Sequence, residues 1–202
     1  MKILSLAAVL ALVLAGCTGG TKQSASQSSA ASTYRVLLDT SQGPVVIEVD
    51  RNLAPNGAQH FYELVKAHYY DGSRFYRVVP GFVVQWGAAA SPAVTQKWDV
   101  TIPDDPVKGS NKPGTVAFAA TGQPNSRTTH LFINLGDNSK LDAMGFAPIG
   151  RVVSGMKSVE NIFPGYGETP DQNIISSQGN AYLKKDFPQL DYIKTARIIG
   201  GS

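Results

Sequence analysis

The chain has 202 residues, 43% of them hydrophobic and 16% charged, with a formal net charge of +3. That is enough for one domain with an ample core, and too little charge, with no basic run, for a nucleic-acid partner. The 20 Gly and 12 Pro point to many turns and short strands, and a single cysteine excludes an internal disulfide.

Lys2 precedes a short apolar run, Ile3 to Leu14, that ends in Leu14-Ala15-Gly16-Cys17. About a dozen apolar residues are too few to span a bilayer, and polar sequence follows, so residues 1–16 read as an export signal. The cysteine at the cut position is similar to the lipobox of bacterial lipoproteins. That resemblance implies lipidation of Cys17 and a membrane anchor, with a soluble secreted protein carrying an incidental thiol as the other reading. Thr18, where an acidic residue could stand, implies by the same resemblance the periplasmic side of an outer membrane, if the cell has one. Thr18 to Thr33 is Ser, Ala, Gln, Gly, Thr and one Lys, with nothing to bury. Residues 17–33 therefore read as a flexible tether with a root-mean-square reach of about 20–24 Å.

The folded domain is expected over residues 34–202. Tyr34 to Asp39 and Val45 to Val49 read as strands around the loop Thr40-Ser41-Gln42-Gly43-Pro44. Pro55 opens a helix, where its missing N–H costs nothing, and Ala58, Phe61, Tyr62 and Val65 form one apolar stripe. His60 and His68 fall off that stripe or at its end and read as solvated. After the turn Tyr70-Asp71-Gly72-Ser73, the segment Phe75-Tyr76-Arg77-Val78-Val79-Pro80-Gly81-Phe82-Val83-Val84-Gln85-Trp86-Gly87 reads as two strands joined at a Pro-Gly corner. Period-2 alternation predicts Phe75, Arg77 and Val79 on one face of the first strand. A guanidinium among apolar neighbours is costly to desolvate unless paired; a structural arginine held by carbonyls or a carboxylate is the plain alternative.

Further strands are expected at Thr115 to Ala120, Leu131 to Asn134, Ile149 to Val153 and Thr195 to Ile199. A second helix is expected from Ser154 as N-cap, with Met156, Val159 and Ile162 facing inward. Gly165 to Leu190, rich in Gly, Asn, Gln and Pro, gives no clear element. Many short strands and two helices predict a mainly β fold, a closed antiparallel barrel with helices over its ends.

Arg77 and Gln85 stand eight apart across the corner. Gly122-Gln123-Pro124-Asn125-Ser126-Arg127-Thr128-Thr129-His130-Leu131-Phe132-Ile133-Asn134 then gives a polar loop running into a strand, followed by Leu141-Asp142. In that order and spacing, from about Val36 to Gly200, these segments resemble the cyclophilin family of peptidyl-prolyl cis/trans isomerases. Gly165-Tyr166-Gly167-Glu168 and Gly179-Asn180-Ala181-Tyr182-Leu183 look like a bacterial branch of it. The resemblance implies an eight-stranded barrel capped by two helices and isomerisation of X-Pro bonds, with no cofactor or metal. It implies Arg77 as catalytic cation and Gln85 as its positioning partner. Substrate contacts fall on Phe82, Val83, Ala120, His130, Phe132, Leu141 and Phe146. The implied partners are proline-containing polypeptides in the cell envelope, met by a monomer.

The chain departs from the family pattern at several points. His130 stands where the family commonly has Gln, and Ala119-Ala120-Thr121 lacks an asparagine amide. Lys140 replaces a tryptophan before Leu141, Trp86 replaces a glycine, and the usual pocket histidine falls on Gly145 or Phe146. These changes leave open a non-catalytic module that holds proline peptides on the same fold. A hydrolase using His130 with Ser126 or Ser139 lacks a Gly-x-Ser-x-Gly elbow, and His60, His68 and His130 match no metal-ligand spacing.

Overall fold

Alternating β-branched residues build the first hairpin. In the computed structural model, which describes residues 32–201, β1 (Thr33–Thr40) pairs antiparallel with β2 (Gly43–Asp50). Val36 faces Ile47 and Leu38 faces Val45, and all four are buried. The turn is tighter than expected, because Gly43 takes a φ of +113° and already pairs with Thr40. The export signal, Cys17 and the tether up to residue 31 lie outside the described residues.

Six more strands follow: β3 (Arg77–Val79), β4 (Val83–Trp86), β5 (Thr115–Phe118), β6 (Leu131–Asn134), β7 (Pro148–Ser154) and β8 (Ile193–Gly201). They form one antiparallel sheet in the order β3-β4-β6-β5-β7-β2-β1-β8. The sheet curls strongly but stays open, which corrects the closed barrel. Among the described residues its edges β3 and β8 share no ladder; an isolated bridge pairs Arg74, before β3, with Tyr192, before β8. The physical reason lies at the β3 edge. Val78 N–H donates to Gly167 O at 3.1 Å, so a turn, not a strand, takes the edge hydrogen bond.

The helices number five among the described residues, not two. α1 (Pro55–Lys66) has Pro55 in its first turn and buries Ala58, Phe61, Leu64 and Val65. α2 (Pro92–Trp98) was not foreseen. α3 (Met156–Glu160) starts after Gly155, at φ +85°, rather than after Ser154. A Cβ on Gly155 would fall 2.1 Å from Pro44 O, so this close approach requires glycine. Val159 and Ile162 are buried as expected, although Ile162 lies past the helix end. Within the unassigned stretch, Asp171 caps α4 (Gln172–Gln178) by accepting from Asn173 N and Ile174 N, and α5 (Asn180–Asp186) follows.

Two further expectations need correction. His60 is buried, with Phe118 at 5.8 Å and Trp98 of α2 at 6.5 Å between ring centroids. Burial lowers its pKa. His68 is exposed and meets Asp71 at 3.2 Å. Phe75 does not share a face with Arg77: it packs edge-on against Trp86 in the main core, where Val78 also lies, and β3 begins only at Arg77.

The main core joins the buried residues of β1 and β2 to the apolar face of α1 and to Val116, Phe118, Leu131 and Ile133. A smaller cluster of Tyr76, Ala88, Ile175, Leu183, Phe187 and Leu190 anchors α4 and α5. A third cluster stands apart from both: Val83, Ala117, Phe132 and Leu141, flanked by Phe82, Ala119 and Phe146.

Candidate active site

The third apolar cluster is the floor of a cleft of about 520 Å³. All nine residues singled out above line it: Arg77, Phe82, Val83, Gln85, Ala120, His130, Phe132, Leu141 and Phe146. The strand pair explains the first four. The Pro80-Gly81 turn, closed by Phe82 N–H donating to Val79 O, sets Arg77 directly across from Gln85 in the β3–β4 ladder. Gln85 in turn faces Phe132 across β4–β6.

Remote contacts hold the remaining wall. Asp142 accepts from the Ser110 hydroxyl at 2.5 Å and from Asn111 N at 2.9 Å, fixing the short turn that presents Leu141. Phe146 meets Phe132 edge-on at 5.8 Å, and the Arg127 guanidinium lies 5.8 Å from its ring centre. Arg127 is itself held by Asp104 and by Gly145 O. At Gly87, φ is +142° and a Cβ would sit 2.3 Å from His130 Cα. Glycine there lets the chain after β4 close onto His130.

A line of polar groups crosses the cleft, and its hydrogen-bond directions follow from chemistry. Arginine can only donate, so Gln85 Oε1 accepts from Arg77 NH1 at 3.1 Å, and the Gln85 amide nitrogen must face the other way. Gln85 Nε2 donates to the Tyr76 hydroxyl at 2.7 Å. That oxygen's proton is then left for His130 Nδ1, also 2.7 Å away. His130 is therefore neutral, with its proton on Nε2 as its remaining donor. Burial agrees: it holds His130 down at about 4, and pushes the Tyr76 hydroxyl well above the usual phenol value.

At the other end, Glu168 Oε1 accepts from Arg77 Nε at 2.6 Å and lies 2.5 Å from NH2. The guanidinium carbon sits 5.5 Å from the centre of the Phe82 ring. Arg77 is thus fixed on two edges yet stays 23% exposed at the cleft, against 63% for Glu168. An acidic neighbour is present, but it does not lock the arginine inward.

Tyr76 and Glu168 were missed as site residues. Tyr76 was visible as a tyrosine beside Arg77, but of its two partners Gln85 lies nine positions on and His130 54; Glu168 sat 91 positions from Arg77 in the stretch without a clear element. The hydrolase alternative loses ground on the same geometry. His130 Nδ1 is occupied by Tyr76, and the Ser126 hydroxyl donates to Gln123 O at 2.7 Å, so Ser126 and His130 do not pair through these atoms. Among the described residues no group of three or more His, Cys, Asp or Glu converges.

Known proteins share this arrangement of sequence and fold. The family described as cyclophilin type peptidyl-prolyl cis-trans isomerase/CLD matches residues 35–177. Peptidyl-prolyl cis-trans isomerase A of Dickeya dadantii is 34% identical over 155 residues, covering 73% of this chain and 82% of that protein. Peptidyl-prolyl cis-trans isomerase B of Escherichia coli is 31% identical over 171 residues, 78% of this chain and 94% of that protein. A cyclophilin from Hirschia baltica superposes with a TM-score of 0.64 at 18% identity, over 81% of this chain and 73% of that one. A Cryptosporidium parvum cyclophilin studied in the presence of the dipeptide Ala-Pro gives 0.61 at 19% identity, over 83% and 99%. The last two speak for the fold alone; the family match and the curated relatives decide membership, and the chain belongs to the cyclophilin-type peptidyl-prolyl cis-trans isomerases.

Proposed function

We propose that the domain accelerates rotation about X-Pro bonds in exported polypeptides, with Arg77 as the catalytic cation and Gln85 as its positioning partner. The barrier of roughly 18–20 kcal/mol is amide resonance, so no nucleophile or metal is called for. The twisted imide differs from the planar one in a nitrogen whose lone pair has been released. A guanidinium aimed at that nitrogen stabilises the twisted state more than the flat one, which is differential binding of the transition state. A ~10⁵-fold acceleration needs about 7 kcal/mol. One charged hydrogen bond supplies about 1.5–3 kcal/mol. The balance comes from holding the ring against Phe82, Val83, Phe132, Leu141 and Phe146 and from orienting the flanking carbonyls.

The observation that carries this reading is the pairing of a rigidly held yet exposed arginine with an apolar cleft of about 520 Å³. His130, which stands where the family commonly has a glutamine, would offer its Nε2–H to the substrate, while Ala120 offers backbone contacts and no amide. Reduced activity and altered sequence preference follow. Export, lipidation of Cys17 and attachment to the envelope rest on the N-terminal sequence pattern.

The test is isomerisation of an Ala-Pro or Gly-Pro peptide by NMR exchange, with Arg77→Ala and Arg77→Lys beside the wild type. Lysine keeps the charge but not the planar fork, so both variants should lose ten- to a hundredfold in kcat/KM with peptide binding largely kept. Wild-type binding without isomerisation would instead identify a proline-peptide holding module.

A further inference from the structure

Glu168 belongs to two concavities at once. It lines the cleft beside Arg77, and it also lines a neighbouring groove of about 490 Å³ walled by Val79, Pro80, Pro164 and Thr169. Its place is set by the backbone. Gly167 O accepts the edge hydrogen bond from Val78 N–H, and Gly167 N and Thr169 N donate back to Pro164 O and Tyr166 O in successive tight turns. The carboxylate uses one oxygen on Arg77; Oε2 accepts no hydrogen bond from a described residue, and the side chain is 63% exposed. A free acceptor therefore stands where the proline cleft opens into a groove with apolar walls.

We propose that Glu168 and this groove form a subsite for a lysine or arginine side chain adjacent to the client's proline, which rests on the isomerase reading for the cleft itself. The dimensions suit it. Adjacent Cα atoms are about 3.8 Å apart, and a four-carbon stem adds roughly 6 Å, so a neighbouring lysine can lay its methylenes on Pro80 and Pro164 and bring its ammonium to Oε2. The groove's apolar walls take the stem; the unused oxygen takes the charge. An acidic side chain in the same place would meet the same oxygen as a like charge.

The experiment compares peptides with Lys or Glu placed immediately before or immediately after proline, by NMR exchange at low salt, in the wild type, Glu168→Gln and Glu168→Lys. At one of the two positions the wild type favours Lys over Glu by about two- to fivefold in kcat/KM, as an exposed charge pair allows. Glu168→Gln brings that ratio close to one and Glu168→Lys inverts it; 1 M salt shrinks it. A ratio unaffected by Glu168→Gln, or none at either position, overturns the subsite. Peptide Kd values measured alongside give the ratio without turnover, so loss of catalysis on every peptide with the Kd ratio intact would count against the isomerase reading and for the subsite.

Discussion

Replacing Tyr76 by Phe removes one oxygen from the middle of the polar line and little else. The ring stays in its buried cluster with Ala88, Leu183 and Phe187, and keeps its edge-on contact with His130 at 5.7 Å. What is lost is the hydroxyl that accepts from Gln85 Nε2 and donates to His130 Nδ1. Both Gln85 and His130 border the cleft, but Gln85 is the more deeply covered, so its freed N–H costs about 1–3 kcal/mol while His130 is partly resolvated. Together the losses come to about 2–3 kcal/mol, or roughly 4–12 °C in Tm for a domain of this size. The Gln85 amide is then free to turn away from Arg77, which forfeits one positioning hydrogen bond of about 1 kcal/mol and lowers kcat/KM about three- to tenfold. Chemical denaturation, NMR exchange of an Ala-Pro peptide and the ¹⁵N shifts of the His130 ring measure the three consequences. A Tyr76→Phe protein with unchanged stability, rate and His130 tautomer would refute the link between the three side chains.

Two other outcomes are expected. Because burial lowers His130 to about 4, its folded-state pKa lies below its unfolded value near 6.5. The fold favours the neutral ring, so this contribution to stability is complete above about pH 6.5 and is lost as pH falls toward 4, by about 3 kcal/mol in all. kcat/KM should stay flat from pH 8 to about 5 and drop below that as Nδ1 takes a proton; a His130 ring titrating near 6.5 by NMR would contradict it. Cys17→Ser should release the protein from the membrane fraction and abolish incorporation of labelled fatty acid, whereas continued membrane attachment would remove the lipid-anchor proposal.

Local pattern carried the elements whose burial is one-sided and long enough to repeat. β1, β2 and α1 were legible because each shows several turns of its own period, as with Ala58, Phe61 and Val65 on α1, whereas β6, buried at all four positions, was legible as a continuous short run. α4 and α5 were not: each is seven residues long and they are separated by Gly179, with Ile175 in one and Leu183 in the other the one fully buried residue. One such residue makes no period. The miss at α2 also explains His60, whose cover is Trp98 on the helix that was not foreseen. At the site, the nine cleft residues came from a recognised order of motifs, not from periodicity. Tyr76 and Glu168 escaped because the polar line through Tyr76 closes only on His130, 54 residues on, and Glu168 meets Arg77 across 91 residues of sequence.

The open edge of the sheet ties these misses together. A closed barrel would have paired β3 with another strand, and the edge hydrogen bond of Val78 would have gone into a ladder. Instead it goes to Gly167 O, and the residue after Gly167 is the one that grips Arg77. The same peptide that protects an exposed edge thereby brings a carboxylate to the cleft, so an irregular stretch contributes to the site through one backbone contact. The apolar floor stands apart from the main core, with Val83, Ala117, Phe132 and Leu141 forming their own cluster. Substitutions there reshape what the cleft grips without opening a cavity in the cluster that Val36, Ile47 and Phe61 fill. Departures such as Lys140 and His130 can accumulate around the cleft while the sheet beneath it keeps its packing.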